Sequence, residues 1–420
     1  MRKRIPSSTL FKCNVDYGRP GVTWANHESY LHRANPAALP MDLVPFFASR
    51  VYLGAGGLNP LCPGIQFSMS PRMHCFDRIT SVSTTHERGI FNTRDEPLAA
   101  DGNRRLHVIC GDSLCSHTGL WLRFATTTLA LVLAEAGLKP GRTIRLREPV
   151  KALHAFATDP SFQTVCATRR GSDMTALEVQ RHYLELAEAH VDHGAMPDWA
   201  VDACRVWRGV LDRLGDDTDS ACGILDWAMK APLYRAHIEA AGVDLDELPH
   251  WNHLLTFLRD CLRGLRLRVP LSAGMLLDPN GPLAASIEGQ RGYIEEHALD
   301  FDRVETILEL RAQICEIDMR FGQLGDESIF AALEPELDHE IPGVDRIDEA
   351  RTQPPDGTRA KLRGQCIRKY AGKDAYASWT VVARPDGKLL DLSNPLESRN
   401  RWKDGDAIEV GDELDVEIPF

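Results

Sequence analysis

The sequence predicts an α+β fold with a small C-terminal domain, and three observations carry that reading. Residues up to about 113 contain short strand-like runs divided by turn signals. Long helical patterns dominate from about residue 119 onward. A Pro- and acid-rich stretch at 334–357 then sets off a last segment with short alternating runs of its own. Strands grouped ahead of helices point to segregated layers rather than to repeating βαβ units.

Residues 8–30 read as strand, turn, strand: TLFKCNVD, the turn Tyr17-Gly18-Arg19-Pro20-Gly21, then VTWANHESYL. PMDLVPFFASRVYLGAGG reads as a helix over 40–56, ended by Gly54 and Gly56. IQFSMS and ERGIFNTR read as short strands on either side of SPRMHCFDRI, and LHVICGD as an apolar strand running into a polar turn. GLWLRFATTTLALVLAEAG has few polar positions, which predicts a deeply buried helix with Gly137 past its end. A capping box, Thr175 to Glu178, opens the next helix. Two more helices follow, from Pro197 to about Gly215 and from Ile224 to Gly242. The stretch 249–300 reads as less regular, with arginines at 259, 263, 266 and 268 and a turn at 278–281. A helix is expected over 301–321. The expected organisation is a main domain over 1–333 with an insertion at 250–300, a linker over 334–357, and a C-terminal domain over 358–420. That last domain carries a turn at Pro385-Asp386-Gly387 and strands in WTVVARPDGKLLDL and DELDVEIPF.

The chain has 420 residues, 43% hydrophobic content and a formal net charge of −12, enough to bury a large core and poorly suited to gripping a nucleic-acid duplex. No apolar run approaches the roughly 18 residues that span a bilayer. The start, MRKRIPSSTLFKCNV, lacks the apolar region of a secretory signal. Eleven cysteines lie singly, without a CxxC pair, which fits reduced thiols in a cytoplasm. Neither a GxxxxGK[ST] loop nor a GxSxG elbow is present.

Charge gathers in FNTRDEPLAADGNRRLHVICGDS, residues 91–113, where Arg94, Arg104 and Arg105 surround Asp95, Glu96, Asp101, His107 and Asp112. Arginine forks match phosphate oxygens, and His107 at the head of an apolar strand suits a phosphate or metal contact. A solvated charged hairpin explains the same spacing. His27 and Glu28 point to opposite sides of a strand. Glu28 is the better ligand for a hard Mg²⁺ ion, and His27 the better phosphate donor. Lys12, Asn14 and Asp16 alternate on the preceding strand, and Arg72 is a further candidate phosphate arm. His182, His190 and His193 lack the i,i+4 spacing of a metal pair.

These segments closely resemble the Pup ligase and Pup deamidase/depupylase (PafA/Dop) family. Residues 91–113 are similar to its signature INTRDEPHAD…RRLHVIVGDSN. In the same order, LFKCNVD resembles LFKNNTD, NHESYL resembles HENYL, ILDWAMK resembles LDWVAK, and TRAKLRGQCIRKY resembles TRAxxRGxCLxKY. The last of these, with Ala377-Ser378-Trp379 after it, leans to the depupylase branch. The resemblance implies a glutamine-synthetase-like fold, a curved antiparallel sheet backed by helices and cradling ATP and Mg²⁺. By motif position it implies phosphate contacts from Arg72, Arg94, Arg105 and His107, and metal contacts from His27, Glu28 and His107. Its implied substrate is a Pup-like modifier and its conjugates.

The family pattern also has an opening GxETE-type strand and a later catalytic aspartate that this sequence does not match, so no catalytic residue is assigned. Ser29 stands where the family has asparagine, and Leu98 where it has histidine. Three expectations stay open: a depupylase or deamidase, a ligase forming a glutamate–lysine isopeptide through an acyl phosphate, and a protein that only binds nucleotide or modifier. A separate chain supplying the first strands is a further expected partner; nucleic acid and membrane are not.

Overall fold

A computed structural model describes residues 8–24, 26–95, 102–334 and 341–404. The second expected strand of the C-terminal domain, DELDVEIPF, lies outside the described residues, as do Glu96, Leu98 and Asp101. The α+β class holds. The chain divides into two compact units, Met1–Glu28 with Asn35–Thr93 and His107–Ile341, and Ser29–Ala34 with Arg94–Leu106 and Pro342–Phe420.

In the first unit the strands pair in short separate ribbons. Gly57–Leu58 runs antiparallel to Phe67–Ser68, and Arg78–Ser81 runs parallel to Gly89–Asn92. TLFKCNVD contributes isolated bridges, Val15 to Thr23 and Phe11 to Gln323, in place of a full strand. The helix expected over 40–56 is α-helical over Leu39–Ser49 and tightens to a 3₁₀ turn at Arg50–Leu53. Gly54 ends it for a packing reason: a Cβ there would lie 2.0 Å from the Met69 carbonyl oxygen.

The helices His117–Glu135, Ala176–Glu188 and Ala200–Asp216 form where the apolar patterns predict them. Thr175 and Glu178 close the capping box from both sides, at 3.2 and 2.7 Å. Phe46 stands edge-on to Tyr183 and Trp207, and the Tyr183 hydroxyl donates to the Asp42 carbonyl at 2.6 Å. The stretch from Pro249 is more regular than expected. Leu248, Trp251, Leu254, Leu255, Leu258 and Leu262 form one apolar face of the helix Leu248–Gly264, and they pack against Ile307, Leu310 and Ile314 of the helix Val304–Phe321. The shorter helices Ala273–Leu277, Ala284–Gly289 and Arg291–Glu296 follow it.

A buried polar chain ties the early residues to the later helices. The Leu58 N–H donates to the Tyr17 hydroxyl at 3.1 Å, and that hydroxyl donates to Asp318 at 2.8 Å. Lys230 donates to the other Asp318 oxygen at 2.5 Å and to the Gly56 carbonyl at 3.2 Å.

In the second unit, the helix Arg359–Tyr370 accompanies a four-stranded antiparallel sheet. The predicted Pro385-Asp386-Gly387 turn joins Val381–Ala383 to Leu389–Asp391, with Gly387 at φ 81°. Leu362, Cys366, Val382, Leu390 and Leu392 make its core. Ser29–Ala34 and Arg94–Leu106 belong to this unit, although the sequence placed them in the main domain.

His74 gives the first unit a pH dependence. It is buried, with Nε2 3.0 Å from the Ser68 hydroxyl, and burial first, then neighbouring His154, holds its pKa down at about 3. The unfolded chain takes up this proton near pH 6.5 and the folded chain does not. Stability is therefore full above about pH 6.5 and falls by about 1.4 kcal/mol per pH unit below it. Urea unfolding of wild type and His74→Gln between pH 7 and pH 5 is expected to show a shallower acid slope for the variant.

Candidate functional site

The signature strand ends in a segment, residues 109–113, whose backbone is held mainly by side chains. Arg72 donates through Nη1 to the carbonyls of Ile109 and Gly111, the latter at 2.9 Å. Arg50 donates to the Cys110 carbonyl at 2.8 Å, and Arg123 donates to the carbonyls of Asp112 and Leu53. Asn14 closes the far end in both directions: its amide donates to the Ser113 carbonyl at 3.1 Å and its oxygen accepts the Ser113 N–H at 2.6 Å. Asn26 donates to the Asp112 carbonyl and Lys12 to the Leu114 carbonyl.

Three buried guanidinium groups need counter-charge. Glu28 meets Arg50 with both oxygens, at 2.9 and 3.0 Å, and lies 3.9 Å from Arg123. Asp112 is the main carboxylate acting on Arg72, whose pKa burial pulls down to about 10. One Asp112 oxygen accepts the Ala55 N–H at 3.0 Å and the Ser70 hydroxyl at 2.8 Å. Nε and Nη2 of Arg72 and the other Asp112 oxygen have no hydrogen-bond partner among the described residues. Beyond the segment, Asp226 accepts the N–H groups of Cys115 and Ser116 at 2.7 and 2.8 Å, at the start of the helix His117–Glu135.

Two expected roles therefore change. Glu28, expected at a magnesium ion, has its carboxylate bound to Arg50. Arg72, expected as a phosphate arm, is fully buried and grips the backbone instead. His27 and His107 do come together: the Nδ1 of exposed His27 lies 2.9 Å from the Nε2 of buried His107, with ring centroids 4.8 Å apart. A nitrogen pair is a poor cradle for a hard cation. Among the described residues, no group of three or more His, Cys, Asp or Glu is placed to hold a metal.

Arg94 and Arg105 lie in the second unit. Arg94 is exposed there. The Arg105 side chain donates to the Ser29 hydroxyl at 3.0 Å, and Asp95 accepts both the Arg105 N–H at 2.8 Å and Arg104 Nη1 at 3.0 Å. Cys110 and Cys115 are packing residues, with burial pushing their thiols up to about 12 and about 11. His182 and His190 each bond a backbone carbonyl, of Pro140 and Leu186. The residues that spacing alone overlooked are Arg50 and Arg123. Each is a cation in a mostly apolar helical run, a pattern that can mark a buried ion pair.

Glu28→Leu is expected to destabilise the chain by about 3–5 kcal/mol, because it strands Arg50 without a counter-charge. Adding Arg50→Met to that variant is expected to restore part of the loss in urea unfolding.

The model of the Pup-ligase protein family matches residues 2–254 and 299–383. The Pup deamidase/depupylase of Mycobacterium tuberculosis (strain ATCC 25618 / H37Rv) is 31% identical over 384 residues, covering 89% of this chain and 63% of that protein. The Pup deamidase/depupylase of Mycolicibacterium smegmatis is 39% identical over 379 residues with the same coverage. A Pup–protein ligase of Brachybacterium faecium is 30% identical, covering 92% of this chain and 71% of the ligase. The chain thus spans a little under two thirds of the length of these two deamidase/depupylases. In fold it is similar to the ligase PafA in its crystal complex with the prokaryotic ubiquitin-like protein Pup, with a TM-score of 0.66, 24% identity, and coverage of 93% of this chain and 69% of that one. It is similar also to PafA in complex with ADP, at a TM-score of 0.65, 22% identity, and coverage of 94% and 74%. With a family match over most of its length, the chain belongs to the Pup-ligase protein family.

Proposed function

We propose that the chain acts in Pup modification as a depupylase or deamidase, cleaving the C-terminal amide or the isopeptide bond of a Pup-like modifier with ATP as cofactor. The observation that carries this reading is the likeness to depupylases over 89% of the chain. The ADP complex of PafA supports a nucleotide as the bound ligand. The His27–His107 pair is the described group best suited to meet phosphate, since an imidazole donates at the end of a rigid strand whose backbone needs no further support. Arg94 and Arg105 are proposed as further phosphate contacts.

Two other readings have support of their own. The likeness to a Pup–protein ligase, 30% identical over 92% of this chain, supports a ligase that joins the modifier to a lysine. The engagement of Glu28 with Arg50 favours a protein that binds nucleotide or modifier without turnover.

Incubation with ATP, a modifier ending in glutamine, a modifier conjugate and a lysine-bearing acceptor separates the three, with mass spectrometry as readout. Amide or isopeptide loss is the expected result. Conjugate formation replaces the reading with the ligase, and calorimetric binding without turnover replaces it with the binder. His107→Ala is expected to weaken ATP binding at least tenfold in calorimetry; unchanged affinity overturns the phosphate role.

A further inference from the structure

The arginines at 259, 263, 266 and 268 take no part in the site above. The helix Leu248–Gly264 buries one face in the core, and a second face lines an open groove of about 710 Å³, walled also by Ile65, Phe67 and Leu245. Helix positions 249, 252, 253, 256, 257 and 260 face that groove, a single i, i+3, i+4 stripe. At 1.5 Å per residue the stripe is about 17 Å long, which matches about five residues of extended chain.

The groove has a charge axis. Asp244, Asp246 and Glu247 flank Leu245 at one end. At the other, Asp260 is neutralised by Arg259 at 2.8 Å and Arg263 at 3.5 Å. Past it, residues 263–270 are exposed without interruption, and Arg266 and Arg268 have no carboxylate partner among the described residues. Leu265, Leu267 and Val269 alternate with these arginines and are 56%, 39% and 47% exposed. Arg266 holds φ 61° in the turn that closes the helix, with the Leu267 N–H on the Leu262 carbonyl at 2.9 Å. Glycine is the usual residue there, and an arginine costs about 1 kcal/mol of backbone strain. The charge is kept at a local cost. From Phe257 onward, all of these residues fall between the two parts of the family match.

We propose that this groove and the Leu265–Val269 segment dock an extended peptide segment of a partner protein, with apolar side chains followed by acidic ones. The apolar residues seat against Phe67, Leu245 and Phe257. The acidic residues reach Arg263, Arg266 and Arg268, whose forks take carboxylates in pairs. A concave groove with an acidic far end suits a peptide of graded charge better than a flat anionic lipid surface.

The probe is a fluorescein-labelled synthetic peptide of four apolar residues followed by four glutamates, titrated with the full chain by fluorescence anisotropy. A twin with lysines in place of the glutamates is the control. Saturable binding of the glutamate peptide is expected, at least tenfold tighter than the twin and weaker at high salt. The R266E/R268E variant is expected to bind it at least tenfold more weakly with an unchanged thermal melt, and Phe257→Asp to weaken both peptides. Absent binding, equal binding of the two peptides, or unchanged affinity in R266E/R268E overturns the proposal. Sedimentation with phosphatidylserine vesicles that is lost in R266E/R268E, without peptide binding, overturns it in favour of lipid.

Discussion

The carbonyl groups of residues 109–112 face three buried guanidiniums, and the rest of the first unit is arranged around that contact. A backbone stretch without a full strand partner must find donors elsewhere. Arginine can serve two carbonyls from one rigid fork, as Arg72 does for Ile109 and Gly111. Three such cations beneath one segment are stable only with counter-charge nearby, which Glu28 and Asp112 supply. The same need for charge balance decides the chemistry. A carboxylate that neutralises a buried arginine is committed to the scaffold of the signature, as Glu28 is to Arg50.

Much of this was legible in the sequence, and what was not has a common cause. The capping box at Thr175, the turn at Gly387 and the amphipathic helices follow from local chemistry that the sequence states directly. The strict alternation of a strand correctly separated His27 from Glu28: one is exposed and the other buried. Which of the two would face a ligand depended on Arg50, which lies 22 residues away and whose partner no local pattern names. Arg72 read as a candidate phosphate arm from its charge; only the packed fold reveals that it is buried and donates to the carbonyls of Ile109 and Gly111. Charge type was readable, whereas charge partner was not.

Family membership sharpened this without replacing it. The resemblance drew attention to residues 91–113, and the geometry then divided them between a half that is clamped, 107–113, and residues such as Arg94 and Arg105 that lie with the other unit. The clamped half owes its shape to residues far outside the signature: Asn14, Glu28, Arg50, Arg72 and Arg123. A signature read as a binding motif is thus also a packing motif. His27 and His107 are the pair in the first unit best placed to serve both.

The contacts of the early residues set an order of events. The Lys12 N–H bonds the Gly322 carbonyl, the Leu324 N–H bonds the Leu10 carbonyl, and Tyr17 reaches Asp318 across 301 positions. None of these three contacts can form until residues 318–324 have been made. At about 5–20 residues per second of synthesis, these three contacts close roughly 15–60 s after the segment around Leu10–Tyr17 is made. The first unit therefore closes only once residues 318–324 have been made, and the segment around Leu10 and Lys12 is among the last of its parts to be fixed.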